Sequence, residues 1–408
     1  MTRLLFLGFA LLLSVSCAEA DALQITSFKF PRIKASTYID HAQRKILIYV
    51  PHGTDPKSLE PEITHNAASL KRTPEGVVGF PYAIGYELTG LNGEKVKYGV
   101  FVTVHHWELI TNSPGPKPRD GAGLLSFKGK LWLLGGWEAP LTTNQVWNSD
   151  DDGKSWTRLA DAPWRPRHGA GWVVFNDRMW VISGDELADV WSSPDGINWT
   201  EETSAAPFGR RYTPYVAPFK GRLWVMGGLS WIDRDGKSVW PGVRAFDDVW
   251  SSEDGREWKL ELEHAPWAAR GLIHGFAVLR DRLYIMGGGV KSGIGAGRGT
   301  DTTAEYSDVW YTTDGRDWVR LLDRAPWSAR THFTVTSTPL YIYVTDGSVR
   351  SQQKMSNDVW RTASGHTWEQ LTPTPWTPRH ASALTYHKGR LYLATGFLTA
   401  DVWAMDSR

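Results

Sequence analysis

Apolar residues in this chain come in short runs, rich in β-branched and aromatic types and cut by Gly, Pro, Asn and Asp. Nowhere do they recur every three or four positions over the length of a helix, so the pattern predicts strands throughout. The runs also repeat. Asp/Gln-Val-Trp occurs six times, ending at Trp147, Trp191, Trp250, Trp310, Trp360 and Trp403, and a second Trp follows the first five at Trp156, Trp199, Trp258, Trp318 and Trp368, usually behind Asp-Gly. An arginine opens the next apolar run: Arg119, Arg167, Arg211, Arg270, Arg330 and Arg379. Sixteen residues after each, or seventeen once, stands a small pair: Gly135-Gly136, Ser183-Gly184, Gly227-Gly228, Gly287-Gly288, Asp346-Gly347 and Thr395-Gly396.

Each unit of 43 to 60 residues reads as four strands. The first follows the arginine, the second ends at the small pair, the third carries Val-Trp and the fourth carries the second Trp. Four-stranded units at this period predict a β-propeller with one sheet per blade. The sixth unit ends five residues after Trp403 and lacks a fourth strand. Trp107-Glu-Leu-Ile110 lies twelve residues before Arg119, the spacing of a fourth strand, and is expected to complete that last blade. Outside the repeat, residues 23–30, 45–50 and 96–104 alternate as strands between Pro/Gly-rich turns, which fits a small Ig-like sandwich. The expected organisation is a signal segment at 1–20, an Ig-like β-sandwich at 21–105 and a six-bladed propeller at 106–408: an all-β protein.

Composition changes this picture in three places. Lys plus Arg (45) and Asp plus Glu (44) nearly cancel, which excludes a nucleic-acid binder or a polybasic membrane arm. The chain has 23 tryptophans, of which the repeat accounts for all but Trp137, Trp172, Trp231 and Trp240, with Trp172 assigned to the core. Finally, Arg3 and the apolar run after it form an export signal too short to span a bilayer. Two processing readings stand side by side. Ala18-x-Ala20 is a site for ordinary signal peptidase, whereas Ser14-Val-Ser-Cys17 is a loose lipobox in which Cys17 carries a lipid anchor. Cys17 is the only cysteine, so the mature chain has no disulfide, thiolate metal cluster or Cys-x-x-Cys site. No cofactor and no metal is expected.

The Gly-Gly doublets, the Asp-Val-Trp spacing and the Pro-x-x-x-Arg starts resemble Kelch repeats over residues 107 to 408. Ser149-x-Asp151-x-Gly153-x-Ser155-Trp156 is similar to the Asp-box of sialidase-type propellers, a turn that is structural as a rule. The N-terminal part, with Val50-Pro51-x-Gly53-Thr54-Asp55 and Lys97-Tyr98-Gly-Val-Phe-Val-Thr-Val104, resembles the Ig-like modules that lead surface lipoproteins of the Bacteroidetes type. These resemblances imply an exported protein, secreted or held at the outer membrane, with a glycan or an extracellular protein as partner. The Kelch likeness also includes galactose oxidase, whose copper site needs a Cys that the mature chain lacks. An enzyme acting on acidic sugars, similar to neuraminate epimerases or sialidases, is the alternative; the reading here leans away from an enzyme.

Length variation marks the face that would bind. From the small pair to Val-Trp the spacing is 11, 7, 22, 22, 13 and 7 residues, while the other segments hardly change. Variable loops gathered on one face of a repeat fold mark its binding face. The candidate ligand-binding residues there are Trp137, Trp231 and Trp240, the six arginines Arg119, Arg167, Arg211, Arg270, Arg330 and Arg379, and His168, with His332 and His380 close by. The arginines have two readings: structural bonds to loop carbonyls, or a cationic mouth for carboxylated sugars.

Overall fold

The computed structural model describes residues 22–33, 35–50, 54–74, 84–104, 107–232, 237–238, 242–272, 275–291, 302–371 and 374–407. The leader with Cys17, Trp240 and the glycine-rich stretch 293–299 lie outside the described residues. The protein is all-β, built of many small sheets; helix among the described residues is confined to the 3-10 turns Pro56–Ser58 and Arg350–Gln352. The chain divides into two compact units.

The smaller unit has a two-stranded sheet, Ile25–Lys29 with Glu62–His65, and a five-stranded antiparallel sheet. Strand Ile84–Thr89 alternates buried Ile84, Tyr86 and Leu88 with partly exposed neighbours, the pattern of a sheet covered on one face. Phe28 of the small sheet meets Tyr86 of the large one edge-on at 5.7 Å.

The larger unit contains six four-stranded antiparallel sheets. In the second the order is Gly171–Phe175, Arg178–Ile182, Val190–Ser193, Thr200–Thr203. Five sheets follow chain order. In the sixth, Ala383–His387, Arg390–Ala394 and Val402–Asp406 are joined by Trp107–Thr111, with Trp403 opposite Leu109 and Met405 opposite Trp107. The first strand of each sheet neighbours the first strands of the two adjacent sheets, and the series returns on itself, since Ala383–His387 lies beside both Thr334–Ser337 and Gly123–Phe127.

One hydrogen-bond pattern explains the sequence repeat. Each strand-opening arginine is at most 1% exposed. Its guanidinium donates to the carbonyl of the first residue of the small pair, Gly135, Ser183, Gly227, Gly287, Asp346 or Thr395, which accounts for the sixteen- or seventeen-residue spacing. In five units it also grips, through two nitrogens, the aspartate that precedes Val-Trp: Asp189, Asp248, Asp308, Asp358 and Asp401. That carboxylate accepts in addition from the Val-Trp indole, as Asp308 does from Trp310 Nε1 at 2.8 Å. A planar fork with several donors can serve carbonyl and carboxylate at once, which an ammonium could not. In the first unit Gln145 replaces the aspartate and Glu138 supplies the charge, at 3.0 and 3.2 Å from Arg119 Nη2.

The tryptophans join neighbouring sheets. Those of the Pro-Trp turns are buried and meet the fourth-strand tryptophan of the next sheet edge to face: Trp164 with Trp199, Trp267 with Trp318, Trp327 with Trp368 and Trp376 with Trp107. Phe208 does the same against Trp258. The Asp-Gly turns explain their glycine: Gly315 has φ +84°, and a Cβ there would lie 2.0 Å from the Trp224 ring of the preceding sheet. The Asp-box is closed on itself, Asp151 accepting from Ser149 Oγ, Ser155 N and Ser155 Oγ.

A second ring of bonds ties the six sheets together at the end where the arginines sit. The residue two after each arginine, Gly121, Gly169, Thr213, Leu272, His332 or Ala381, is left-handed, with φ between 50° and 64°. Gly121 N donates to Ala381 O, Ala381 N to His332 O, His332 N to Leu272 O, Leu272 N to Thr213 Oγ1, Thr213 N to Gly169 O, and Gly169 N to Gly121 O. The cycle is closed. Gly121, Gly169, Thr213, Leu272 and Ala381 are buried and His332 is partly exposed.

Where the fifth small pair departs from glycine, Asp346 is fully buried, accepting from Trp376 Nε1 (2.9 Å) and Ser382 Oγ (2.5 Å). Burial raises its pKa from 3.8 to about 6. An acid whose folded pKa exceeds its unfolded value holds its proton more tightly when folded, so stability from this group is present below pH 3.8 and declines as pH rises to about 6. Asp346→Asn keeps both contacts without the charge. In urea denaturation the variant is expected to gain on wild type between pH 4 and 7, by on the order of 2 kcal/mol; parallel curves would count against it.

Candidate ligand-binding face

The face above the collar is made of the residues that follow the arginines and of hairpins grown from the variable loops. Four of those loops form short two-stranded hairpins: Trp137–Glu138 with Leu141–Thr142, Leu229–Ser230 with Arg244–Ala245, Gly289–Lys291 with Thr302–Glu305, and Ser348–Val349 with Lys354–Met355. Backbone pairing with the residue after the arginine anchors several of them, as Asp120 with Trp137 and Tyr212 with Leu229.

Two aromatic arms lie on this face. In one, Trp137 and Phe397 are parallel within 4° at 6.3 Å, Phe397 continues onto His380 at 4.9 Å, and His380 reaches His332 at 5.4 Å. Trp137 and Phe397 are half-buried, with Leu141 on the strand paired to Trp137–Glu138 and Leu398 next to Phe397 72% and 65% exposed. In the other arm His168, Tyr212 and Trp231 succeed each other at 5.2 and 5.3 Å.

Carboxylates accompany both arms. Asp120 lies 3.5 Å from His380 Nε2. Asp185 Oδ1 is 2.7 Å from His168 Nδ1 and its Oδ2 accepts from the His168 backbone at 2.9 Å, while His168 Nε2 bonds Tyr212 Oη at 3.0 Å. Burial opposes a charge on His168, but the bond and charge of Asp185, with Asp120, outweigh it and hold the pKa above the usual histidine value. Glu186 accepts from Ser230 Oγ at 2.5 Å and Trp231 N at 3.2 Å, and burial raises its pKa. Ser183, Gly184, Asp185 and Glu186 are consecutive left-handed residues with φ of 56°, 88°, 46° and 61°. Each non-glycine residue in that region costs about 1–3 kcal/mol, and such strain gathers where side chains must be aimed.

The residues expected from sequence thus separate. Trp137, Trp231 and His168 lie on this face; Trp240 and Cys17 fall outside the described residues. The six arginines point into the protein, their donors taken by carbonyls and carboxylates, and cannot meet a ligand in this arrangement. The site is therefore built without them, and the cationic mouth imagined for carboxylated sugars is not formed by this series. Tyr212, Phe397, Asp120, Asp185 and Glu186 escape the sequence reading. A signal exists for two of them: the position after the arginine reads Asp120, His168, Tyr212, Gly271, Thr331 and His380, variable beside an invariant repeat. Among the described residues, no group of three or more His, Cys, Asp or Glu is placed to hold a metal ion.

The smaller unit adds a different kind of observation. Residues 25–102 match the family model described as SGBP, N-terminal. The name denotes surface glycan-binding proteins of the Bacteroidetes type. The SGBP-type match ends before the first of the six sheets, and no curated protein matches the chain. No helix among the described residues is long and apolar enough to cross a membrane.

Proposed function

We propose that this is a surface glycan-binding protein in which residues 106–408 form a six-bladed Kelch-type β-propeller, completed by the strand at 107–110, and residues 21–105 an Ig-like module. The closed succession of six four-stranded sheets supports the propeller, and the SGBP-type match over residues 25–102 supports the glycan reading. The export signal supports a place at the cell surface, with Cys17 as lipid anchor if the lipobox is the one processed.

The observation that carries the binding role is the stack of Trp137, Phe397 and His380 beside Asp120. Sugar rings offer a C–H face to aromatic planes and hydroxyls to carboxylates, so a half-exposed aromatic row edged by acids suits a neutral glycan chain. An enzyme for acidic sugars would need cations at the reacting centre, and the repeat arginines are already engaged within the fold.

A glycan array followed by calorimetry on the best ligand tests this. Trp137→Ala is expected to weaken binding about 30-fold, roughly 2 kcal/mol, with Trp231→Ala adding to the loss. Array signal untouched by the double substitution would remove the aromatic arms from the site, and an array without signal would leave an extracellular protein as the partner.

A further inference from the structure

The first strands of the six sheets enclose an axial cavity of about 310 Å³, within the range of pockets that hold small molecules. One end meets the collar that joins Gly121, Gly169, Thr213, Leu272, His332 and Ala381, all but His332 buried, beneath the candidate binding face. At the far end of the strands Ser126, Val174, Pro218, Val278, Thr336 and Thr385 line it and are partly exposed, so the well opens on the side away from the variable loops.

Its chemistry is specific in one respect: among the described residues, the lining contains no Asp, Glu, Lys, Arg or His. Each first strand pairs within its sheet only with the second strand, so the backbone N–H and C=O groups of its other edge lie outside the sheet ladder, on the side of the neighbouring first strands. Buried backbone groups require partners. The side chains divide the mouth: Thr336 and Thr385 put hydroxyls on one half, beside Ser126, whose Oγ is already bonded to His387 Nδ1 at 2.8 Å, and Val174, Pro218 and Val278 make the other half apolar. A pyranose has the same division, with hydroxyls around its edge and C–H groups on its faces. We propose that this well is a second binding site, for one neutral sugar residue, entered from the side opposite the aromatic arms. A charged sugar is excluded, because its ion would lose water and find no counter-charge.

Saturation-transfer NMR on the full chain, using methyl glucoside, galactoside and xyloside as probes and methyl glucuronide as the charged comparator, tests the site. The Trp137→Ala/Trp231→Ala protein removes the arms and is expected to keep the neutral signal. Val278→Phe, which fills the mouth, should abolish that signal while leaving oligosaccharide binding at the arms unchanged. Thr336→Val and Thr385→Val preserve volume and fold and should each weaken the glycoside about 5-fold, the worth of one neutral hydrogen bond. Absence of any glycoside signal in the wild-type chain, a signal indifferent to all three substitutions, or equal binding of the glucuronide would each overturn the proposal and leave the well to water. None of these results depends on the arms binding glycan.

Discussion

Deleting residues 401–408 abolishes cooperative unfolding of the whole six-sheet unit, not of its last sheet alone. Val402–Asp406 is bonded on one side to Arg390–Ala394 and on the other to Trp107–Thr111, so its loss separates the two ends of the unit. The same cut removes Asp401, leaving the Arg379 guanidinium buried without its carboxylate, and takes Trp403 from its contact with Trp376 at 6.0 Å. Two strand edges are bared, which invites aggregation, and a buried charge is left unpaired, which costs stability. Calorimetry should show no sharp transition for the truncated protein, and a synthetic 401–408 peptide added in excess should restore part of it. An unchanged melting curve would show that the closing strand is dispensable.

Arg270→Ala is expected to cost about 3–5 kcal/mol, the toll of leaving a buried carboxylate unpaired. Arg270 holds both oxygens of Asp308, at 2.5 and 2.8 Å, along with the carbonyls of Gly287 and Ala268, and lies over the Tyr306 ring at 4.2 Å. The melting temperature should fall by on the order of 10 °C. Arg270→Lys recovers little, since one ammonium cannot replace the fork. Arg119→Ala is the internal control. Its partners are the neutral Gln145 and Glu138, and Lys117 also reaches Glu138 at 3.2 Å, so less charge is stranded. Equal losses at the two positions would mean that the ion pair contributes nothing beyond the carbonyl bonds.

These pairs show where sequence reasoning stops. The arginine spacing is plain in the chain, as is the Asp-Val-Trp motif, and the bond between them is not, because 22 to 38 residues that include the variable loop separate the two partners. The tryptophan count yields to the repeat for the same reason that the strands do: a position serving one structural purpose recurs with the unit. The candidate face has no such redundancy. Trp137 and Phe397 are 260 positions apart in sequence and come together only because the sixth sheet returns to the first.

Local chemistry, then, determined the strands, the turns, the six units and the strand needed to finish the last one, since each depends on residues within one period of the repeat. The tertiary structure decided what the sequence left open about the arginines and the face. Burial turned six cations inward, to carbonyls and carboxylates that the strands of each unit bring beside them. The collar joined one residue from each of the six units, and the arm of Trp137 and Phe397 was assembled from sheets distant in the chain. Such features depend on which units become neighbours in space, and proximity across a ring is not written in the order of residues along it.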